Sequence, residues 1–221
     1  MQSVRIFFEK TGSAKYISHL DLMRCFSRAI KRAGIDISYT EGYNPHPFLT
    51  FSLPLSLGTE SLCESVDIRT NDEMPFDEIG ERLKNALPSG INVTEVCAPL
   101  NKADKIEFAE FDLIFTAENT QKISDEILKC LSADEIFAEK KAKQGKKKVL
   151  KQINIKENIK SFSVSVLNDT VLLNTVLTAG VKCNINPSLL IDSVTKDIKD
   201  EIESIDIIKK KMLLSDMAEF K

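Results

Sequence analysis

Tryptophan is absent from this chain of 221 residues, histidine occurs only twice and glycine eight times. So little glycine, beside 43% hydrophobic and 29% charged residues, excludes a fibrous or low-complexity chain and predicts a globular one. No apolar run approaches the ~20 residues that span a membrane as a helix. The opening MQSVRIFFEK also lacks the apolar stretch of a secretory signal. A cytoplasmic protein without a membrane partner is expected. The five cysteines, Cys25, Cys63, Cys97, Cys130 and Cys183, are odd in number and more than thirty residues apart as neighbours. They make neither a disulfide framework nor a zinc or iron–sulfur motif, and they read as reduced, small hydrophobes. A net charge of −3 does not advertise nucleic-acid binding, but it averages over local basic clusters, and DNA is not expected as a partner.

What is present is a regular alternation of strand and helix signals. VRIFFEK (4–10) is β-rich and ends in the turn Thr11-Gly12-Ser13. Ser18 then caps a helix, with Asp21 three residues on and Gly34 as its stop. Met23, Phe26, Ile30 and Ala33 share its apolar face, and Arg24, Arg28, Lys31 and Arg32 share the opposite one. Residues 35–42 read as a strand, 48–58 as an extended segment, 63–70 as a half-buried strand, 75–87 as a second helix and INVTEVCAPL as a closing strand. After a polar bridge at 101–111 the signals return: a strand, a helix near 120–131, and strands joined by turns, with Asn168-Asp169 as one hairpin. A helix at 186–198, capped by Asn186 with Pro187 at its first position, precedes a last strand. This order predicts an α+β fold of tandem ferredoxin-like (split βαβ) units with antiparallel sheets, the second enlarged by a β-hairpin region. The expected domains are residues 1–100 and 108–221.

Several unusual strings occur in series: F-x-K-T-G-x-x-K-Y-I-S-H-L-D-L-M-R from Phe8, then R-A-I-K-R-A-G, Y-x-E-G-Y-N-P-H-P and F-S-L-P-L-S-L-G. With G-T-E-S-L-C-E-S-V-D-I up to Asp67, they resemble the radical SAM-linked (radical SAM-associated) protein family, domain of unknown function 2344. N-P-S-L-L from Asn186 is similar to that family's late helix start. In this family the domain stands alone or follows a radical SAM enzyme. The resemblance therefore implies a separately encoded radical SAM partner and an accessory role for this chain. Such an enzyme needs C-x-x-x-C-x-x-C thiolates for a [4Fe–4S] cluster, and the cysteine spacing here offers none. No cofactor is expected on this chain; the cluster and S-adenosylmethionine belong to the partner.

The two histidines and the cations define the candidate site. His19, just inside the helix, reads either as a ring tucked between helix and sheet or as a contact beside a helix N-terminus that attracts anions. The stiff YNPHP loop presents Tyr43 for stacking, and Asn44 and His46 for hydrogen bonds. Together with Asp21 or Asp67 the histidines fit no standard metal ligand set, so no metal site is expected. Arginines make up three of the four cations on the helix face, which suits bidentate phosphate recognition as well as a solvated surface. Lys15 and Ser18 join the candidate binding residues. Seven lysines between Lys140 and Lys151 surround Gly145, and Lys146, Lys147 and Lys148 would form a salt-sensitive grip or a soluble edge guard. Arg69-Thr70-Asn71 is similar to the R-T-D string of tandem ferredoxin-like pseudouridine synthases, but Asn71 replaces the nucleophilic acid. The leading expectation is a non-catalytic accessory protein of a radical SAM enzyme that binds RNA (tRNA or rRNA) in an RNA- or ribosome-related modification system. Its rivals are a metal-independent RNA endonuclease using His46 or His19, with Tyr43 or Lys15 assisting, and a protein adaptor without RNA.

Overall fold

The computed structural model describes the backbone of all residues except 145, 146 and 182, and the side chains of all except 140–149 and 182. It is a mixed α+β chain whose described pairings are antiparallel, and its residues fall into two compact units. Among the described residues no helix is long and apolar enough to cross a membrane.

The first unit comprises Met1–Lys105 with Lys209–Lys211 and Glu219–Lys221. Its elements are β1 (Gln2–Lys10), α1 (His19–Arg32), β2 (Leu49–Phe51), β3 (Glu60–Thr70), α2 (Phe76–Ala86) and β4 (Ile91–Cys97). The strands lie in the order β4-β1-β3-β2, each antiparallel to its neighbour. Alternation along β1 puts Val4, Ile6 and Phe8 in the core, where Val66, Ile68, Ile91 and Val93 join them. Phe26 and Ile30 of α1 and Ile79 and Leu83 of α2 cover that face, all of them buried.

Helix α1 departs from the expected apolar face. Leu22, Phe26, Ala29 and Ile30 are its buried residues, while Met23 and Ala33 are only half-buried. The stripe is thus rotated about one residue from the expected one, which leaves Met23 at the edge of the helix. The strand expected at 35–42 shrinks to isolated bridges, Ile37 to Thr70 and Tyr39 to Pro47, and of the extended segment expected at 48–58 only β2 joins the sheet. Pro45, Pro47 and Pro54 carry no N–H to extend a ladder, and Gly42 turns the chain at φ +125°. What remains is a narrow loop, closed by Phe48 N–H to Ser38 O (2.9 Å) and Thr40 N–H to His46 O (2.9 Å).

Gly90 ends the turn after α2 at φ +84°, and its carbonyl accepts the N–H of Thr11 at 2.8 Å. A Cβ there would stand 2.6 Å from the Thr11 carbonyl oxygen and 2.9 Å from Ala14 Cβ. Both the left-handed backbone and the backbone contact oppose a side chain, so Gly90→Ala is expected to cost about 2–3 kcal/mol. Urea unfolding tests this, and a loss under about 1 kcal/mol would show that the two loops separate freely.

The second unit comprises Ile106–Ile208 and Met212–Ala218. It holds β5 (Phe108–Thr116), α3 (Thr120–Ser132), β6 (Phe137–Gln144), β7 (Lys147–Asn154), β8 (Ile159–Leu167), β9 (Thr170–Thr178), α4 (Pro187–Val194) and most of β10 (Ser204–Leu213). The order is β10-β5-β9-β8, with β6 and β7 as a separate two-stranded antiparallel sheet. Strict alternation in β5 buries Ala109, Phe111, Leu113 and Phe115. Asn168 turns the β8–β9 hairpin at φ +52°, in keeping with the Asn-Asp signal. Asn186 caps α4 by accepting the Ser188 N–H, with Pro187 first in the helix as expected. That helix stops at Val194 rather than at 198, where Thr195 Oγ1 donates back to the Ile191 carbonyl.

Candidate nucleic-acid interface

The capped start of α1 is built as its sequence implies. Ser18 Oγ accepts the Asp21 N–H (3.2 Å) and donates to Asp21 Oδ2 (2.7 Å). Arg24 Nη1 in turn donates to Asp21 Oδ1 at 2.9 Å. The Ser18 hydroxyl first, and then Arg24, hold the Asp21 carboxyl below its usual range. His19 follows the cap, and its ring meets Phe51 edge-on with centroids 5.3 Å apart. Lys15 pairs with Glu60 (3.5 Å), and its carbonyl accepts the Gly58 N–H, so it anchors the segment before β3.

Along the outer edge of α1, Arg24, Arg28 and Arg32 recur every fourth residue, a rise of about 6 Å per step. All three line one groove of about 440 Å³, together with Asp21, Cys25 and Pro88. Arg32 Nη2 donates to the Ala86 carbonyl at the end of α2 (2.7 Å), which fixes its guanidinium while other donors stay in solvent. Among the described residues Arg28 makes no hydrogen bond or ion pair.

A second groove, of about 390 Å³, opens on the other flank of Arg24 and Arg28. Met23, Arg24, Ser27 and Arg28 form its helix side. Thr40 and the run from His46 to Thr50 form the facing wall. His46 therefore reaches this groove, its N–H held by Thr40 Oγ1 at 3.1 Å. Tyr43 does not; it is 100% exposed at the loop tip, beside exposed Asn44. The Arg69 guanidinium lies over the Phe48 ring, 4.5 Å from its centroid. Asn71, the residue in place of an acid, accepts a hydrogen bond from Ser38 Oγ (2.7 Å).

Sequence reasoning missed Phe48, Met23 and Arg69 as parts of this surface. The usable signal was Phe48 directly after the stiff Pro-His-Pro run, because a rigid loop fixes the residue that follows it. Of the lysine cluster, Lys146 lies outside the described residues, as do the side chains of Lys147 and Lys148.

The chemistry on offer is anion recognition more than cysteine nucleophilicity. Burial pushes the Cys63 thiol up to about 11, and burial likewise raises Cys25, Cys97 and Cys130. Among the described residues no group of three or more His, Cys, Asp or Glu is placed to hold a metal ion. The strongest charge pairs serve the fold. Arg5, wholly buried, makes two 2.7 Å bonds to Asp67 and stacks on Phe220. Lys209 Nζ lies 2.5 Å from Glu64 Oε1, also buried.

Comparison with known proteins gives a fold relative and a family. The chain is similar to one chain in the "Crystal Structure of a Cbf5-Nop10-Gar1 Complex", with a TM-score of 0.52 and 9% identity over 95% of its residues. It spans about half of that chain, 48%. A heavy metal efflux pump overlaps it with a TM-score of only 0.24 at 9% identity, over 94% of this chain and 28% of the pump. No curated protein matches. The pattern of one bacterial family covers residues 3–187, and so the chain belongs to the family described as "Uncharacterized protein conserved in bacteria (DUF2344)".

Proposed function

We propose that this chain is a non-catalytic RNA-binding accessory protein of a separately encoded radical SAM enzyme, built from two ferredoxin-like units. The observation that carries the RNA reading is the row Arg24, Arg28 and Arg32, exposed at one-turn spacing along a groove. Arginine forks bind phosphate oxygens bidentately, and a row along a helix tracks a backbone instead of a single anion. The strand orders β4-β1-β3-β2 and β10-β5-β9-β8 support the tandem ferredoxin-like description. The radical SAM partner rests on the resemblance of the motifs between Phe8 and Asp67. In that arrangement the iron–sulfur cluster and S-adenosylmethionine reside in the partner, and this chain delivers or holds the RNA.

The test is gel retardation of total cellular RNA by the purified chain, at low and moderate salt without added metal. Retardation that fades with salt is expected, with a slope of log affinity against log salt about 2 units shallower when all three arginines are changed to Ala. Unchanged binding by that triple variant would sink the proposal. New discrete RNA fragments, abolished by His46→Ala, would replace it with an endonuclease. No retardation at either salt would leave a protein adaptor.

A further inference from the structure

The groove on the far flank of the arginines has a composition that the row alone does not explain. We infer that it is a pocket for one unstacked nucleotide of a single RNA strand, its base against Phe48 and Met23 and its phosphate on Arg28. This assignment rests on the RNA-binding reading above and names the form of RNA that the site takes.

Charge is the first argument. The chain carries a net −3, with 33 acidic residues, yet none of the residues lining this groove is acidic. Its two charged members are Arg24 and Arg28, and Arg24 is already engaged by Asp21. Arg28, with no such partner among the described residues, is the cation of this groove most open to an incoming anion. A third guanidinium, that of Arg69, is held against Phe48 and adds positive charge behind the wall. Such a site complements an anion and disfavours a basic segment.

Size and lining are the second. About 390 Å³ is the scale of a small-molecule site, enough for one base with its ribose but not for a duplex groove. Met23, Pro47, Phe48 and Leu49 give apolar cover. The hydroxyls of Ser27 and Thr50 and the His46 ring add polar groups. Apolar and aromatic walls with a few polar groups, beside a cation, are what an unpaired base and its phosphate require. The wall is also stiff. Its loop is closed at Thr40–His46 and Ser38–Phe48, and prolines flank His46, so little ordering is left to binding. Tyr43, exposed at the tip, lies outside the pocket lining and does not form the stacking platform.

Fluorescence anisotropy with an end-labelled single-stranded RNA and the blunt duplex of the same sequence tests this. The single strand is expected to bind at least tenfold more tightly, with unlabelled 5′-mononucleotides competing weakly. Phe48→Leu keeps an apolar wall and removes the aromatic face; about tenfold weaker binding is expected, with the salt slope unchanged. Met23→Ala gives an independent check from the helix side, and Arg28→Ala should instead make the salt slope shallower by about 0.7. Thermal unfolding near that of the parent chain shows that each variant is folded. Salt-dependent binding that is equal for strand and duplex, or indifferent to Phe48→Leu and Met23→Ala, would overturn the pocket while leaving the RNA-binding function intact. No binding of either RNA at low salt, with a protein loop as the remaining occupant, would overturn both.

Discussion

Replacement of Glu64 by Ala is expected to lower the unfolding free energy by about 3–5 kcal/mol, the range for breaking a buried ion pair by removing one partner. Glu64 is 3% exposed, Lys209 1% and Lys10 2%, so two cations and one carboxylate share a site closed to water. Lys10 Nζ donates to the carbonyls of Ile17 (2.9 Å) and Lys15 (3.3 Å), but these dipoles do not neutralise it. Burial pushes the Lys10 ammonium below its ordinary value of 10.5; Glu64 opposes that and Lys209 adds to it. Because the folded value is the lower one, the unfolded chain holds more protons in the window between it and 10.5. Stability contributed through Lys10 therefore rises as pH climbs through that window. Without Glu64 the window widens downward, so the Glu64→Ala deficit should shrink from about pH 7 to about pH 9.5. Urea unfolding at both pH values measures this. A deficit under about 1 kcal/mol at the lower pH would mean that the pair is solvated.

Phe26→Ala is expected to cost a similar amount, about 3–5 kcal/mol, because it empties a fully buried site. The Phe26 ring lies 4.8 Å from Phe8 and 5.6 Å from Phe51, centroid to centroid, and Phe51 also meets Phe8 and His19. Strand β2 has only three residues, so ladder bonds alone hold it weakly. Phe51 instead pins β2 to α1, and β2 carries Leu49 and Thr50 of the groove wall. The substitution should thus weaken RNA retention as well as stability, whereas Phe26→Leu, which keeps most of the volume, should cost about 1–2 kcal/mol. Chemical denaturation of both variants decides the point. A Phe26→Ala loss no larger than that of Phe26→Leu would show that the surrounding rings close over the space and that the wall is not pinned.

The legible parts of the fold were those fixed by local chemistry. Ser18 and Asn186 cap helices because their side-chain oxygens reach backbone N–H groups only two or three residues away. Alternation in β5 reported one buried face, and Asn168 reported a turn that needs positive φ. The strand reading of 35–42 failed because Ile35, Ile37 and Tyr39 suggest a ladder, whereas Pro45 and Pro47 in the segment that returns beside Tyr39 carry no N–H to build one. The lysine at F-x-K-T-G was legible as part of a motif but not as buried. Nothing local to Lys10 announces that Glu64 and Lys209 will meet it.

The candidate site divides in the same way. Sequence alone determined that α1 begins at a Ser18 cap, that arginines recur along one edge of it, and that a proline-stiffened loop follows. These depend on spacings of a few residues, which helix geometry converts directly into position. Tertiary structure alone decided that the loop folds back along α1, so that Phe48 and His46 face Met23 and Arg28 while Tyr43 is left in solvent. It also decided that Arg32 is engaged and Arg28 is not, since Arg32 finds its partner at Ala86, 54 residues away. Contacts at that separation depend on how the sheet brings two helices together, and no periodicity within either helix encodes them.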